Sequence, residues 1–203
     1  FVAGVRFFQF AALLALLGAV GAALIALSPY RAARFASFLD PWSDPFGSGF
    51  QLTQSLIAIG SGEWFGVGLG NSVQKLSYLP EAHTDFVFAV FAEEFGLVGI
   101  CVLLALFAAL VWRAISIANA AADKRRDYQA CLAFGIAVWL GAQVFINMGV
   151  NMGILPTKGL TLPLVSYGRS SLIITLAALA LLLRIDLENR RASKRRGARG
   201  RKR

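Results

Sequence analysis

The stretch FVFAVFAEEFGLVGICVLLALFAALVW, Phe86 to Trp112, decides the fold class. A helix that crosses a membrane needs about 20 mostly apolar residues, and this run is long enough to tilt or to project beyond the hydrocarbon. Three further segments accompany it. Phe7 to Leu27 carries no charge and ends at Ser28-Pro29, and Tyr128 to Val150 supplies another span. The last uninterrupted run, Leu172 to Leu183, reaches spanning length only if its helix starts near Leu164 to Ser166, which places Arg169 in the first turns. An Arg there snorkels to the interface or faces the bundle interior. The expected fold is an all-α polytopic membrane helix bundle of four transmembrane helices, over about 7–27, 86–112, 128–150 and 165–185. Outer loops over 28–85 (large and partly helical) and 151–164 and a basic tail over 186–203 complete it.

Composition agrees with that reading. Of 203 residues, 57% are hydrophobic and 15% charged, against about 45–50% apolar and about 25% charged in soluble domains. Disordered, collagen-like and disulfide-rich secreted classes fall on the same arithmetic. The chain opens on Phe1 inside a hydrophobic run with no signal-peptide pattern, so it is expected to be part of a longer polypeptide. The net charge of +9 is concentrated at one end. From Arg184 to Arg203 ten Lys/Arg stand against Asp186 and Glu188, a surplus that marks the cytoplasmic side and can touch anionic headgroups. No nucleic-acid module accompanies this charge, so nucleic acid is not an expected partner. The connection Arg113 to Asp127 is also basic, whereas 28–85 and 150–166 are not; both ends of the chain are therefore expected in the cytoplasm. Cys101 and Cys131 sit in apolar runs and read as small buried fillers.

The long outer loop is too apolar and aromatic to be disordered. Asp40-Pro41 and Asp44-Pro45 favour turns, and Leu52, Leu56 and Ile59 share one side of a short helix over Gln51 to Ile59. Gly66, Gly68 and Gly70 form a G-x-G-x-G that reads as tight turns beside a membrane, since a dinucleotide fingerprint needs a strand before it and a helix after it. Between Lys75 and Phe86 lie a base, Glu81, Asp85 and the chain's one histidine, His83, at the mouth of a membrane helix. Thr84 is a candidate N-cap, with Asp85 in the first helical turn; Asp85 reads either as a helix-start residue or as a functional carboxylate. Glu81, His83 and Asp85 could also hold a divalent cation, for which Mg²⁺ or Mn²⁺ suits the oxygen ligands best. Glu93 and Glu94 lie roughly 12–14 Å deeper and point about 100° apart. Acids inside a span are costly and mark either function or a structural pair with a base such as Arg169. Asn147, Asn151 and the Pro- and Gly-broken stretch 155–163 form an irregular outer loop, which survives at this depth only packed in protein or lining a wet cavity. Lys158 within it suits a pyrophosphate or another anion, or is a solvated loop lysine.

Three stretches, 66–75, 79–96 and 151–168, in that order, resemble the SEDS family of bacterial membrane glycosyltransferases (shape, elongation, division and sporulation), with Phe38 to Trp42 and Pro80-Glu-Ala-His83 closest to its division branch. The resemblance covers nearly the whole chain apart from the tail and matches the C-terminal half of such proteins. It implies polymerisation of lipid II into peptidoglycan strands at the outer face of the bacterial cytoplasmic (inner) membrane. Its implied partners are lipid II, undecaprenyl-linked glycan, a class B penicillin-binding transpeptidase and other division proteins. The family's essential acid maps onto Asp85, its later-loop lysine onto Lys158, its Gln-Lys onto Gln74 and Lys75, and its helix acids onto Glu93 and Glu94. Where the family pattern reads Ser-Tyr-Gly-Gly-Ser-Ser, this chain has Arg169 in place of the second glycine.

Resemblance and residues together predict Asp85 as general base on the acceptor 4-hydroxyl, with a divalent cation as an optional metal on the same carboxylate. Lys75, Gln74, Lys158, His83, Glu93, Glu94 and Arg169 are the predicted substrate-binding residues. A lipid-linked precursor flippase using Glu93, Glu94 and Arg169, or a non-catalytic division scaffold, are the competing classes.

Overall fold

The computed structural model describes residues 7–28, 38–47, 49–74 and 83–200. Lys75 and Glu81 lie outside the described residues. Among the described residues the main helices are α1 (Phe7–Ala26), α2 (Phe50–Ser61), α3 (Val87–Ala122), α4 (Asp127–Asn151) and α5 (Arg169–Gly200). All but α2 contain a window long and apolar enough to cross a membrane, as the sequence predicts. No residue of the apolar window of α1 is buried.

The bundle is organised around the antiparallel α3–α4 hairpin, against which α5 and the short α2 pack. At the hairpin turn, Ala114, Ile117, Ala118 and Ala121 of α3 meet Ala130, Ala133 and Ala137 of α4, with Leu182 and Ile185 of α5 closing the cluster. Alanines let helix backbones approach closely, which is how helices associate where lipid removes the hydrophobic incentive. This packing also explains why α3 runs to Ala122 instead of ending at Trp112. Arg113–Ala122 is rich in strong helix formers and its small face is covered. The turn itself needs Arg125 at φ 56°.

The same end is tied by polar contacts. Asn189 of α5 is buried; its Nδ2 donates to Ile117 O, and its own backbone oxygen accepts from Lys124 Nζ. Arg126 pairs with Glu188 at 2.9 Å and Arg113 with Asp186 at 3.2 Å. The residues from 186 onward therefore continue α5 as a helix to Gly200 rather than starting a separate tail. At its other end α5 starts at Arg169, later than the predicted 165. Leu162 N donates to Ser166 Oγ and Ser166 N to Leu162 O, and this reciprocal closure, with Leu164 at φ 65°, holds the preceding residues in turns. Cys101 is exposed on α3, not buried. The α2 prediction holds: Leu52 is buried and Leu56 and Ile59 half-buried on one face.

One feature of α3 was not visible in its composition. Gly96 adopts φ 64°, ψ −164°, which breaks the helix within its apolar run. A break in a span strands two N–H groups and two carbonyls, each costing several kcal/mol in hydrocarbon if unpaired. The Gly62–Gly68 segment supplies all four partners. Leu97 N donates to Glu63 O at 2.9 Å and Val98 N to Trp64 O at 3.1 Å; Val67 N donates to Glu93 O at 3.0 Å and Gly68 N to Glu94 O at 3.2 Å. The G-x-G-x-G thus forms a backbone splice, consistent with tight turns and not with a phosphate cradle. Its glycines permit the approach: a Cβ on Gly66 would stand 2.1 Å from Glu94 O, and one on Gly96 would stand 2.4 Å from Gly66 N.

Gly66→Ala should therefore cost about 2–3 kcal/mol or more, read as a lower melting midpoint of the detergent-solubilised protein. Gly135→Ala, at a helical glycine with nothing within 4 Å of the new Cβ, should be neutral or stabilising by up to about 1 kcal/mol. Equal effects at the two positions would contradict the splice.

Candidate functional site

The candidate site lies at the end of the bundle opposite the hairpin turn, where α2, the start of α3, the end of α4 and the 154–168 loop converge. Residues Thr84 to Phe86 form turns and α3 begins at Val87, so Asp85 precedes the helix instead of occupying its first turn. The reason is where its backbone goes. Ala89 N donates to Phe86 O, while the carbonyl of Asp85 points across to α4 and accepts from Asn147 Nδ2 at 3.0 Å and Asn151 Nδ2 at 3.2 Å.

The α4 helix ends in a Schellman arrangement, with Gly153 at φ 71°, Gly153 N donating to Val150 O and Ile154 N to Gly149 O. This reverses the chain and sends 155–163 back across the mouth of the bundle. The returning segment is held by α4 amides: Asn147 Nδ2 also donates to Leu160 O, and Gln143 Nε2 to Thr161 O at 3.1 Å. Gln143, Asn147 and Asn151 repeat every four residues and so form one polar stripe on an otherwise apolar helix. Ser55 of α2 joins them by donating to Asn151 O at 2.9 Å. Residues 143 and 55 carry part of the site, and sequence reading passed over both. The i, i+4, i+8 spacing of amides on a span was the available signal.

The result is a cleft of about 100 Å³ lined by Gln51, Asp85, Phe86, Thr157, Lys158 and Gly159. The Asp85 carboxylate sits against the Gly159 backbone; a Cβ there would meet Asp85 Oδ2 at 2.7 Å. Lys158 is exposed. A carboxylate and an ammonium, 73 residues apart in sequence (158 − 85), thus line one cleft. His83 is exposed, and its carbonyl accepts from Tyr167 N at 2.9 Å, which brings the start of α5 to the same rim. There Arg169, also exposed, donates from Nε and Nη2 to Tyr167 Oη at 3.3 and 3.1 Å. Arg169 therefore sits at the rim and is not turned into the bundle interior.

The remaining predicted residues stand apart. Glu93 is 3% exposed, and its carboxylate accepts from Ser72 Oγ at 2.5 Å and from Val73 N at 3.1 Å. Its partner is thus the glycine-rich loop, not Arg169, and it does not line the cleft. Glu94 is half-buried and its carbonyl belongs to the splice. Gln74 directly follows the residues that Glu93 holds, and its Oε1 is buried without a hydrogen bond among the described residues. Among the described residues no three His, Cys, Asp or Glu side chains converge on a metal position. Mg²⁺ commonly binds through one or two carboxylates plus water and substrate phosphates, and Asp85 fits that limited role.

Glu93→Ala should leave Val73 N–H unpaired, a loss of about 1–3 kcal/mol, so amide exchange at Val73 should accelerate about 5- to 150-fold. Exchange along Leu103–Leu110 should be unchanged. An unaltered rate at Val73 would contradict the anchoring role of Glu93.

Comparison with known proteins agrees with this architecture. The relatives include proteins named as probable peptidoglycan glycosyltransferase FtsW from Thioalkalivibrio sulfidiphilus (61% identical over 188 residues, 93% of this chain and 47% of the relative) and from Halomonas elongata (58% over 194 residues, 96% and 49%). The chain spans about half the length of these relatives. A solved structure concerned with structural coordination of polymerization and crosslinking by a peptidoglycan synthase complex is similar with a TM-score of 0.67 at 36% identity, over 93% of this chain and 52% of that one. The model of the FtsW/RodA/SpoVE family of cell cycle proteins matches residues 1–191. With its spans, its spliced helix and its interhelical cleft in place, the chain belongs to that family.

Proposed function

We propose that this chain carries the polymerising site of a peptidoglycan glycosyltransferase, joining lipid II units into glycan strands during cell division. The observation that carries the proposal is the seating of the Asp85 carboxylate against Gly159, in a cleft shared with Lys158, at one end of a membrane bundle. Such a cleft suits a substrate whose sugar is polar and whose prenyl chain is apolar. The names of the relatives support the same activity.

In this reading the acceptor 4-hydroxyl gives its proton to Asp85 as its oxygen attacks the donor's anomeric carbon. The bond from that carbon to the pyrophosphate oxygen breaks, and undecaprenyl pyrophosphate leaves. Lys158 stabilises the developing phosphate charge, with Arg169 at the rim and Lys75 as further cations. His83, exposed at the same rim, and Gln74, on the loop that Glu93 holds, are further proposed substrate contacts. Glu93 contributes by ordering the loop that leads to Gln74 and Lys75, with Glu94 in the splice beside it. A Mg²⁺ or Mn²⁺ ion, where bound, would be held by Asp85 and would neutralise phosphate charge. The basic charge of the 123–126 turn and of the end of α5 supports a cytoplasmic hairpin end, with the cleft then on the outer side of the bacterial inner membrane. A class B penicillin-binding transpeptidase is the proposed partner, in line with the coupling of polymerization and crosslinking in the similar complex. A translocation path through Glu93 and Arg169 has less support, because Glu93 is bound into a loop and Arg169 is exposed.

Reconstituted with its transpeptidase partner, the intact protein should form glycan strands from lipid II. Asp85→Asn should reduce the rate at least about 10²-fold, and Lys158→Ala about 10- to 100-fold, in protein that remains folded. Normal strand formation by Asp85→Asn would remove Asp85 as the base. No strands from any form would favour the carrier or scaffold classes.

A further inference from the structure

Asn147 is buried to 1% exposure in the apolar α4, where a polar side chain is costly unless it serves a purpose. Both hydrogens of its amide are used, one on Asp85 O and one on Leu160 O, and these two carbonyls come from different loops. Its Oδ1 is buried without a hydrogen bond among the described residues. The amide is thus held for its two N–H groups at the expense of its oxygen. Because the NH₂ group is planar, with its hydrogens about 120° apart, it sets the separation and angle of the two carbonyls it bridges. Those carbonyls flank a contact within the cleft, the Asp85 carboxylate against the Gly159 backbone. Among the described residues Asn151 donates to Asp85 O and otherwise to its own helix at Asn147 O, and Gln143 donates to Thr161 O. Of the three amides, Asn147 bridges both sides.

We propose that Asn147 is a positioning residue that sets the reactive placement of the Asp85 carboxylate by clamping the backbones of Asp85 and Leu160 to α4. The inference rests on the reading of Asp85 as general base. Asn147 touches no substrate; it acts through the geometry of the acid it holds. An aspartate at 147 has the same shape but no hydrogen to donate, and would oppose an oxygen to two carbonyl oxygens.

The test is steady-state strand formation by the intact, reconstituted protein carrying Asn147→Ser, Asn147→Asp, Gly159→Ala, Asp85→Asn and the Asn147→Ser/Gly159→Ala pair. Misplacing a catalytic group by about 1 Å costs on the order of 10²-fold. Asn147→Ser should lower kcat about 10- to 100-fold with KM within about twofold, and Asn147→Asp should be no better. Gly159→Ala displaces the same carboxylate from the opposite side, so the paired variant should be slower than either single variant by much less than the product of their separate losses. Multiplied losses, or a fall that only follows the amount of folded protein, would overturn the proposal. Full activity of Asp85→Asn would instead sink the base assignment, and the clamp with it, whereas inactive Asp85→Asn beside multiplied losses sinks the clamp alone. If Asn147→Ser does not yield folded protein, Asn147→Gln, which keeps both N–H groups but shifts them by one methylene, takes its place in the pair with the same expected coupling to Gly159→Ala.

Discussion

The structure depends on a backbone accounting problem within α3 and its solution. A helix in hydrocarbon satisfies its own N–H and C=O groups, and Gly96 interrupts that arrangement. Four freed groups are recovered by Glu63, Trp64, Val67 and Gly68, none through a side chain. The bond pattern requires the backbone of a loop to lie directly on a helix, so both partners need glycine where they meet. Ligation to α3 fixes the segment after α2, and Glu93 then extends the hold through Ser72 and Val73. The short stretch of α3 before the break carries Phe88 and Ala89, with Phe86 just ahead of it, against α2 and α4. What resembles a nucleotide-binding glycine motif is, in this setting, the repair of a broken span.

A second constraint follows from the same solvent. Polar side chains on a membrane helix must find partners in protein, and here they find loop backbone. Gln143, Asn147 and Asn151 direct their N–H groups at carbonyls of two irregular segments, which would otherwise be unable to sit at the mouth of the bundle. The arrangement has two effects. It satisfies buried donors, and it brings residues 85 and 158 to one cleft although neither lies in regular structure. At the opposite end Asn189 plays a comparable part, tying α5 to the α3–α4 turn through Ile117 O and Lys124. The half-exposed ion pairs around it, such as Arg126–Glu188, add little by themselves; the buried amide is the organising contact.

The four spans, the partly helical loop and the basic end of the chain were legible in the sequence because they depend on composition over long windows, and hydrocarbon imposes a coarse, additive requirement. Asp85 and Lys158 were legible as candidates, with a helix-start carboxylate and a solvated loop lysine as the alternatives; that they line one cleft was not legible, because they lie far apart in sequence. Glu93 was legible as costly but not as to its partner, which is Ser72, twenty-one residues upstream, and not Arg169. The start of α3 after Asp85, the start of α5 at Arg169 and the extension of α3 to Ala122 differ from the sequence reading for one reason. Each boundary is set by a contact distant in sequence: Asn147 with Asp85, the Leu162–Ser166 closure, and the alanine face shared with α4 and α5.

The sequence by itself determined that this protein is a membrane helix bundle, which residues can take part in acid–base or anion chemistry, and the family it resembles. These are properties of residue type and local order, and hydrophobic length and charge suffice to read them. Only the tertiary structure decided that a glycine-rich loop completes a broken helix, that an amide stripe clamps two loops, and that Asp85 rests on Gly159 beside Lys158. Such outcomes depend on which buried donor meets which carbonyl, a pairing that the chain settles only when its distant segments are packed against one another.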